Sequence, residues 1–382
     1  EVFDWTVPKE WNIRDAYVEN SKGERVVDFN KSNLHVVSYS IPVSEKMSLA
    51  RLREHVFTLP EHPDWIPYRT SYYTESWGFC LSHNHLSKLE EGSYNVVIDS
   101  TLEDGEMNYG EYYIEGKSRD EVLISTHACH PSLCNDNLSG VVLSTFLAEY
   151  ISRAQLRYSY RFIFIPGGIG SIVWLCMNED KTPNIKHGLV IACVGDSGGF
   201  TYKKSRCVDA EIDLVVPNVL RYSGHEFKIV DFSPYGYDER NFGSPGFNLP
   251  VGSLTRSTHG QFPQHHTSAD DLTFVQAHNL RDSFEQYLSV IYVLENNRKY
   301  LNTKPKGDIH LGKRGLYGAT GGLQQRSAEE MALLWVLNMS DGKHNLLDIS
   351  DRSGLPFEAI KNATDVLCEH KLLEEVSHEA DA

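Results

Sequence analysis

The chain predicts an α/β fold: a mostly parallel, mixed sheet with helices on both faces, a small β-rich insert and a C-terminal winged-helix-like unit. Three observations carry this. After Gly116, short continuous apolar runs alternate with helical stretches, as in parallel sheets buried on both faces. Between residues 31 and 114 the texture is β-branched and aromatic, with turn residues separating the runs. Beyond the polar linker 302–307 the periodicity becomes helical once more.

Taken in order, residues 1–30 carry Trp5, Pro8 and Trp11, then a polar turn at 20–23. Strands are expected at 34–41, 94–98 and 112–114, beside an aromatic cluster of Trp65, Tyr68, Tyr72, Tyr73, Trp77 and Phe79. Core strands are expected at 122–124, 162–165, 189–192, 227–230 and 249–254. Leu143, Leu147, Tyr150 and Ile151 recur at helical spacing, and 280–294 reads as another long helix. Helical patterns at 329–337 and 357–367 flank residues 347–354, with a wing starting near Leu372. The expected domains are therefore 1–30 with 115–305 (α/β), 31–114 (insert) and 306–382 (winged-helix-like).

Charge narrows the partners. The 382 residues hold 36 Lys and Arg against 52 Asp and Glu, a formal charge of −16. Such a surface repels phosphate backbones and anionic lipid, so neither nucleic acid nor a membrane is expected as a partner. Residues 325–382 alone hold five Lys and Arg against twelve Asp and Glu, and Lys361 is the only cation of the would-be recognition helix. That unit is expected to pack, or to support a homo-oligomer. No apolar run approaches the ~18–20 residues needed to span a bilayer. Seven scattered cysteines without a CxxC pair fit reduced thiols and a cytoplasmic location. The chain opens at Glu1 without a Met, which leaves a trimmed start open.

Polar residues gather where the strands end, the edge at which open α/β sheets bind ligands. The first core strand runs into His127, Cys129, His130, Asn135, Asp136 and Asn137. The third ends in Gly195-Asp196-Ser197-Gly198-Gly199, and the fifth leads through Arg256 and His259 to His265-His266. Each has a plain structural explanation. A lone His is usually a loop histidine, Asp136 could merely cap a helix, and Asp196 could merely form a turn. Together on one edge, imidazoles and carboxylates favour a divalent ion such as zinc. A thiol nucleophile at Cys129 is disfavoured, because sequence neighbours on an extended segment point apart.

The segments 129–140, 195–199, 235–240 and 266–270, with the opening 3–11, resemble the DUF4910 family, which carries an inserted DUF2172 and sits near the M28 zinc aminopeptidases. The resemblance covers nearly the whole chain and implies an aminopeptidase-like core, a small insert and a C-terminal winged helix. It implies that Asp136 matches the Asp bridging two zincs in M28 enzymes, Asp196 an acidic ligand, and His266 a ligand in a His-Thr pair. For the first histidine, His130 is favoured and His127 held second, at the substrate. M28 enzymes carry adjacent glutamates where Gly167 and Gly168 stand here, so a general base and a ligand are missing. One zinc is thus favoured over two, with His130, Asp136, Asp196 and His266 as ligands. Glu239 is the first choice as replacement base, and Arg240 could hold a substrate carboxylate. A plain surface Glu-Arg pair is the other reading. Tyr73 and Trp77 could wall the pocket or simply be the insert's core.

The leading expectation is a zinc-dependent amide hydrolase, aminopeptidase- or deacylase-like, acting on a small molecule or short peptide. Its rival is a metabolite-binding protein that has lost the base, with the winged helix in a regulatory role.

Overall fold

Alternation and burial decide where each strand goes. Residues 121–127 are buried on both faces along their whole length, and the strand Glu121–His127 lies in the interior of the main sheet. Ser159–Ile165 pairs with it on one side and Ile185–Ile191 on the other, both parallel. Val251–Thr255 continues the parallel set beyond Ile185–Ile191. Antiparallel strands flank these, Gly110–Ile114 on Ser159–Ile165 and Phe200–Lys203 on Val251–Thr255. The sheet is mixed with a parallel middle, as expected. Leu123, Ile163, Ile165, Trp174 and Val190 form its core. The helix Ser139–Ile151 starts directly beyond the loop that leaves the central strand.

The computed structural model describes residues 1–316 and 327–376. It divides into two compact units, 1–207 with 230–283, and 208–229 with 284 onward. Within the first unit a second, four-stranded sheet has the order Arg25–Asp28, Glu10–Glu19, Ser93–Glu103, Val43–Ser48. Two expected boundaries therefore do not follow the sheets. Residues 10–28 pair with the β-rich region and not with the main sheet, whereas Gly110–Ile114 joins the main sheet. The reason is a register shift between Ile13 and Asp15. A bulge moves the inward parity, so Trp11 and Ile13 share the core with Ala16 and Val18. Alternation is broken in the sequence although it is kept in space. The strand expected at 34–41 is instead a 3-10 turn, Asn33–His35, followed by loop.

In the second unit the strands Lys299–Asn302, Asp341–Asn345 and Leu373–Glu375 form one sheet with the helices Ala328–Met339, Leu346–Ser353 and Phe357–Glu369. Lys299–Asn302 brings this sheet's first strand ahead of the expected boundary at 306. Asn345 and Asp348 close a capping box that starts the middle helix. Residues 317–326 and 377–382 of the expected C-terminal domain lie outside the described residues. No helix among the described residues is long and apolar enough to cross a membrane, and no disulfide joins the described cysteines.

Candidate metal centre and cleft

Loops leaving neighbouring strand ends meet at Asp136. This carboxylate is 1% exposed and accepts at Oδ1 from His127 Nε2 (2.8 Å). At Oδ2 it accepts from His265 and His266 Nε2, at 3.2 and 3.1 Å. Its backbone is pinned as well, because the N–H groups of Asn135 and Asp136 donate to the two oxygens of Asp270. Burial opposes an ionised Asp136, but the three imidazoles outweigh it and hold its pKa well below the ordinary carboxylate value. Burial pushes His130 down to about 4 against the attraction of Asp136, so its imidazole is neutral at pH 7. For His127 burial also works against charge, yet the bond to Asp136 wins and its pKa is raised.

His130, Asp136 and His266 place one ligand atom each within 4.8 Å of one another. Two imidazoles and an ionised carboxylate are donors that zinc takes, so these residues fit the ion. His266 is the more open side, its side chain 37% exposed. It sits at φ +57°, a left-handed conformation that histidine tolerates better than most residues. A backbone seam holds it there. The Tyr68 N–H donates to the His266 carbonyl, and the Ser268 N–H to the Ile66 carbonyl, both at 2.8 Å. The Ile66 N–H donates in return to Ser268 Oγ. The Tyr68 ring then packs edge-on against His130 and His266.

Asp196 departs from its expected place. Its Oδ1 accepts from the Gly198 N–H and the Ser257 hydroxyl, and its Oδ2 from the Asn135 amide. With both oxygens so engaged it is absent from the converging ligand groups among the described residues. It braces the segment that carries Asp136. Glu239 departs too. It is 1% exposed, Oε1 accepts from Lys203 Nζ at 2.7 Å, and it lines neither cavity of the cleft. Burial raises its pKa against the pull of Lys203. Beside it Asp238 is equally buried, Oδ1 accepting from the Gly168 N–H and the Ser171 hydroxyl. Asp238 Oδ2 and Glu239 Oε2 have no hydrogen-bond partner among the described residues. Both charges bear on His127.

The cleft beside the cluster has two connected parts. A cavity of about 410 Å³ is lined by Tyr39, Tyr68, Tyr72, Cys129 and His130, with His127 at its base. Another of about 660 Å³ shares Tyr39, Tyr72 and Cys129 and adds Trp5, Tyr73 and Arg240. Gly167 and Gly168 lie on its wall, and Gly168 adopts φ +73°, where a side chain would be strained. Tyr73 and Arg240 thus line the cleft. Trp77 does not: it stacks on His55 at 3.7 Å and packs into the core of the four-stranded sheet. The flat ring and its apolar neighbours explain the difference. The sequence reading assigns no role to His265, Asp270, Asp238 or Tyr39. Only His265, adjacent to His266, carries a local signal; the others gain meaning from partners far along the chain.

The family model for the domain of unknown function DUF4910 matches residues 1–297, and a winged helix-turn-helix model matches residues 298–375. A Clostridium acetobutylicum protein, provisionally named for polysaccharide biosynthesis with an aminopeptidase-like domain, is 56% identical over 373 residues. The match covers 98% of this chain and 86% of the relative. A crystal structure from Clostridium acetobutylicum, provisionally described as a peptidase, aligns with a TM-score of 0.94 at 55% identity, over 98% of this chain and 86% of that one. BSAP, a zinc aminopeptidase from Bacillus subtilis, aligns with a TM-score of 0.53 at 11% identity, over 76% and 83% of the two chains. A peptidase M28 precursor from Shewanella amazonensis gives 0.54 at 14% identity, over 75% and 82%. These last two likenesses are of fold.

Proposed function

The chain belongs to the DUF4910 family, and from that premise we propose that it is a zinc-dependent amide hydrolase, aminopeptidase- or deacylase-like, acting on a small peptide-like or amino-sugar substrate. One observation carries the proposal: His130, Asp136 and His266 place ligand atoms within 4.8 Å of one another, and His130 also lines an aromatic cavity. The provisional names of the two Clostridium acetobutylicum proteins, one for polysaccharide biosynthesis and one for a peptidase, agree with amide chemistry on such molecules.

His130, Asp136 and His266 hold the ion, and His127, His265 and Asp270 fix the orientation of Asp136. When bound, zinc supplies Lewis-acid polarisation of a carbonyl and activation of water. Glu239 and Asp238, both buried and outside the cleft lining, act on the site through their charge, which raises the pKa of His127, the partner of Asp136. Tyr39, Tyr72 and Tyr73 enclose the side chain or sugar ring, and Arg240 receives a carboxylate.

Purified protein is expected to contain zinc and to cleave an aminoacyl, acyl-amino-sugar or dipeptide amide. His266→Ala should lose the metal yet stay folded, and Glu239→Gln should keep the metal. Elemental analysis that finds the folded protein unable to take up zinc sinks the reading.

A second reading has its own support. Gly167 and Gly168 present no side chain to the cleft, and both nearby acids are buried. On this reading the protein binds its metabolite without hydrolysing it, with a regulatory part for the winged helix. Calorimetric binding of the same amides to zinc-loaded protein, with no product formed, selects it. Direct DNA reading is not part of either proposal. Lys361, the one cation of Phe357–Glu369, is paired with Asp365 at 2.6 Å. A gel shift at physiological salt is expected to show no submicromolar duplex binding.

A further inference from the structure

Beyond the two cavities of the cleft lies a third, of about 510 Å³, walled by Phe3, Trp5, Leu175 and Phe247 together with Asp4 and Glu179. It shares Trp5, Ile172 and Asn241 with the cavity of about 660 Å³, and no residue with the cavity at His130. The three form a row, with His130 at one end and Phe247 at the other. Each is of the size that holds one small ligand, so the row exceeds the needs of a single amino acid or sugar.

Aromatic rings recur along the row. Trp11 stacks on Tyr39 with centroids 5.8 Å apart, and Tyr72 meets Tyr39 edge-on at 4.8 Å. Trp5 packs against Tyr73 at 5.9 Å, and Phe3 meets Phe247 edge-on at 5.8 Å. Phe3 and Trp5 stand on a short turn closed by two backbone bonds. The Val2 N–H donates to the Trp5 carbonyl at 2.7 Å, and the Trp5 N–H to the Val2 carbonyl at 2.9 Å. Water reaches both rings, since Phe3 is 53% and Trp5 49% exposed. Asp4 and Glu179 add exposed carboxylates. Open ring faces of this kind cover the apolar C–H faces of sugars, and carboxylates accept from the hydroxyls at their rims. An extended peptide would instead seek a free strand edge for its backbone. No residue of the named strands lines either of the two cavities that share Trp5.

We propose that the cavity at Phe3, Trp5 and Phe247 is a remote binding site for a sugar ring, and that the cleft takes an oligosaccharide whose amide-bearing end sits at the Asp136 group. The proposal rests on the functional reading above only for the placement of that end. The amino sugar of that reading is then the terminal unit of a longer chain, and Trp5 serves two successive units.

Calorimetric titration of the metal-stripped full chain with β-1,4-linked N-acetylglucosamine oligomers of one to four units tests this without any cleavage. Affinity is expected to rise about 10-fold from the monomer to the tetramer. Phe3→Ala should lower tetramer affinity by about 3–10-fold and leave the monomer unchanged. Trp5→Ala should lower tetramer affinity further. Circular dichroism confirms that each variant is folded, and the wild-type length series needs no variant. Equal affinity at every length overturns the proposal, as does a failure of all four oligomers to bind. A length gain that survives in both variants overturns it too, and so does an alanine tetrapeptide that gains as much over alanine. The zinc reading fails separately. A protein that takes up no zinc and cleaves no amide can still bind the tetramer more tightly than the monomer.

Discussion

The Asp136 carboxylate and the backbone that carries it are held on every side by partners, whereas the Trp5 and Tyr73 end of the cleft is walled by half-exposed rings. Asp136 takes three imidazoles and rests on a backbone clamped by Asp270. Trp5 and Tyr73 are 49% and 57% exposed, and the Tyr73 hydroxyl donates to the Thr6 carbonyl at 3.2 Å. The contrast separates two tasks. Buried, mutually satisfied polar groups hold a fixed geometry, as ion ligation requires. Aromatic walls give large contact area with little directional demand, which suits the recognition of varied rings or side chains.

The contrast breaks most visibly at its hub. Asp136→Ala should abolish zinc uptake and, by stranding its imidazole partners, lower stability by about 3–5 kcal/mol. Elemental analysis and urea unfolding check both parts, and a stable, zinc-replete variant would mean the hub is dispensable. Tyr72→Ala tests the other end. Loss of its ring should raise the KM or Kd for the preferred amide by about 3–10-fold with zinc content unchanged. Loss of zinc in that variant would join the two ends into one. Smallest is Trp77→Phe, which should cost about 1 kcal/mol of stability and leave both zinc content and KM as they were. A shift in KM would return Trp77 to the cleft wall.

Much of the main sheet was legible because its signals are local. Continuous apolar runs at 122–124, 162–165 and 189–192 became the strands Glu121–His127, Ser159–Ile165 and Ile185–Ile191. The long helix expected at 280–294 is Ala277–Asn296. His130, Asp136 and His266 were legible as candidates from the strand-end position of polar residues. What escaped depends on register and distance. The shift between Ile13 and Asp15 hides the strand Glu10–Glu19 from a period-two reading. Asp196 looks like a ligand in sequence, and only the Asn135, Gly198 and Ser257 donors around it show that its lone pairs are engaged. The same holds for Glu239, whose partner Lys203 precedes it by 36 residues.

The seam that carries His266 has a consequence for how the molecule comes into being. Ile66 and Ser268 are 202 residues apart in the chain, yet their exchanged hydrogen bonds fix the loop that presents the histidine. Closing so long a loop costs conformational entropy before any contact returns it, and contacts of this separation form slowly. During synthesis most of the first unit must emerge before the seam can form. On the proposed reading, ion affinity is acquired only after the four parallel strands of the main sheet have emerged, and a nascent chain stopped short of residue 266 lacks the complete ligand set.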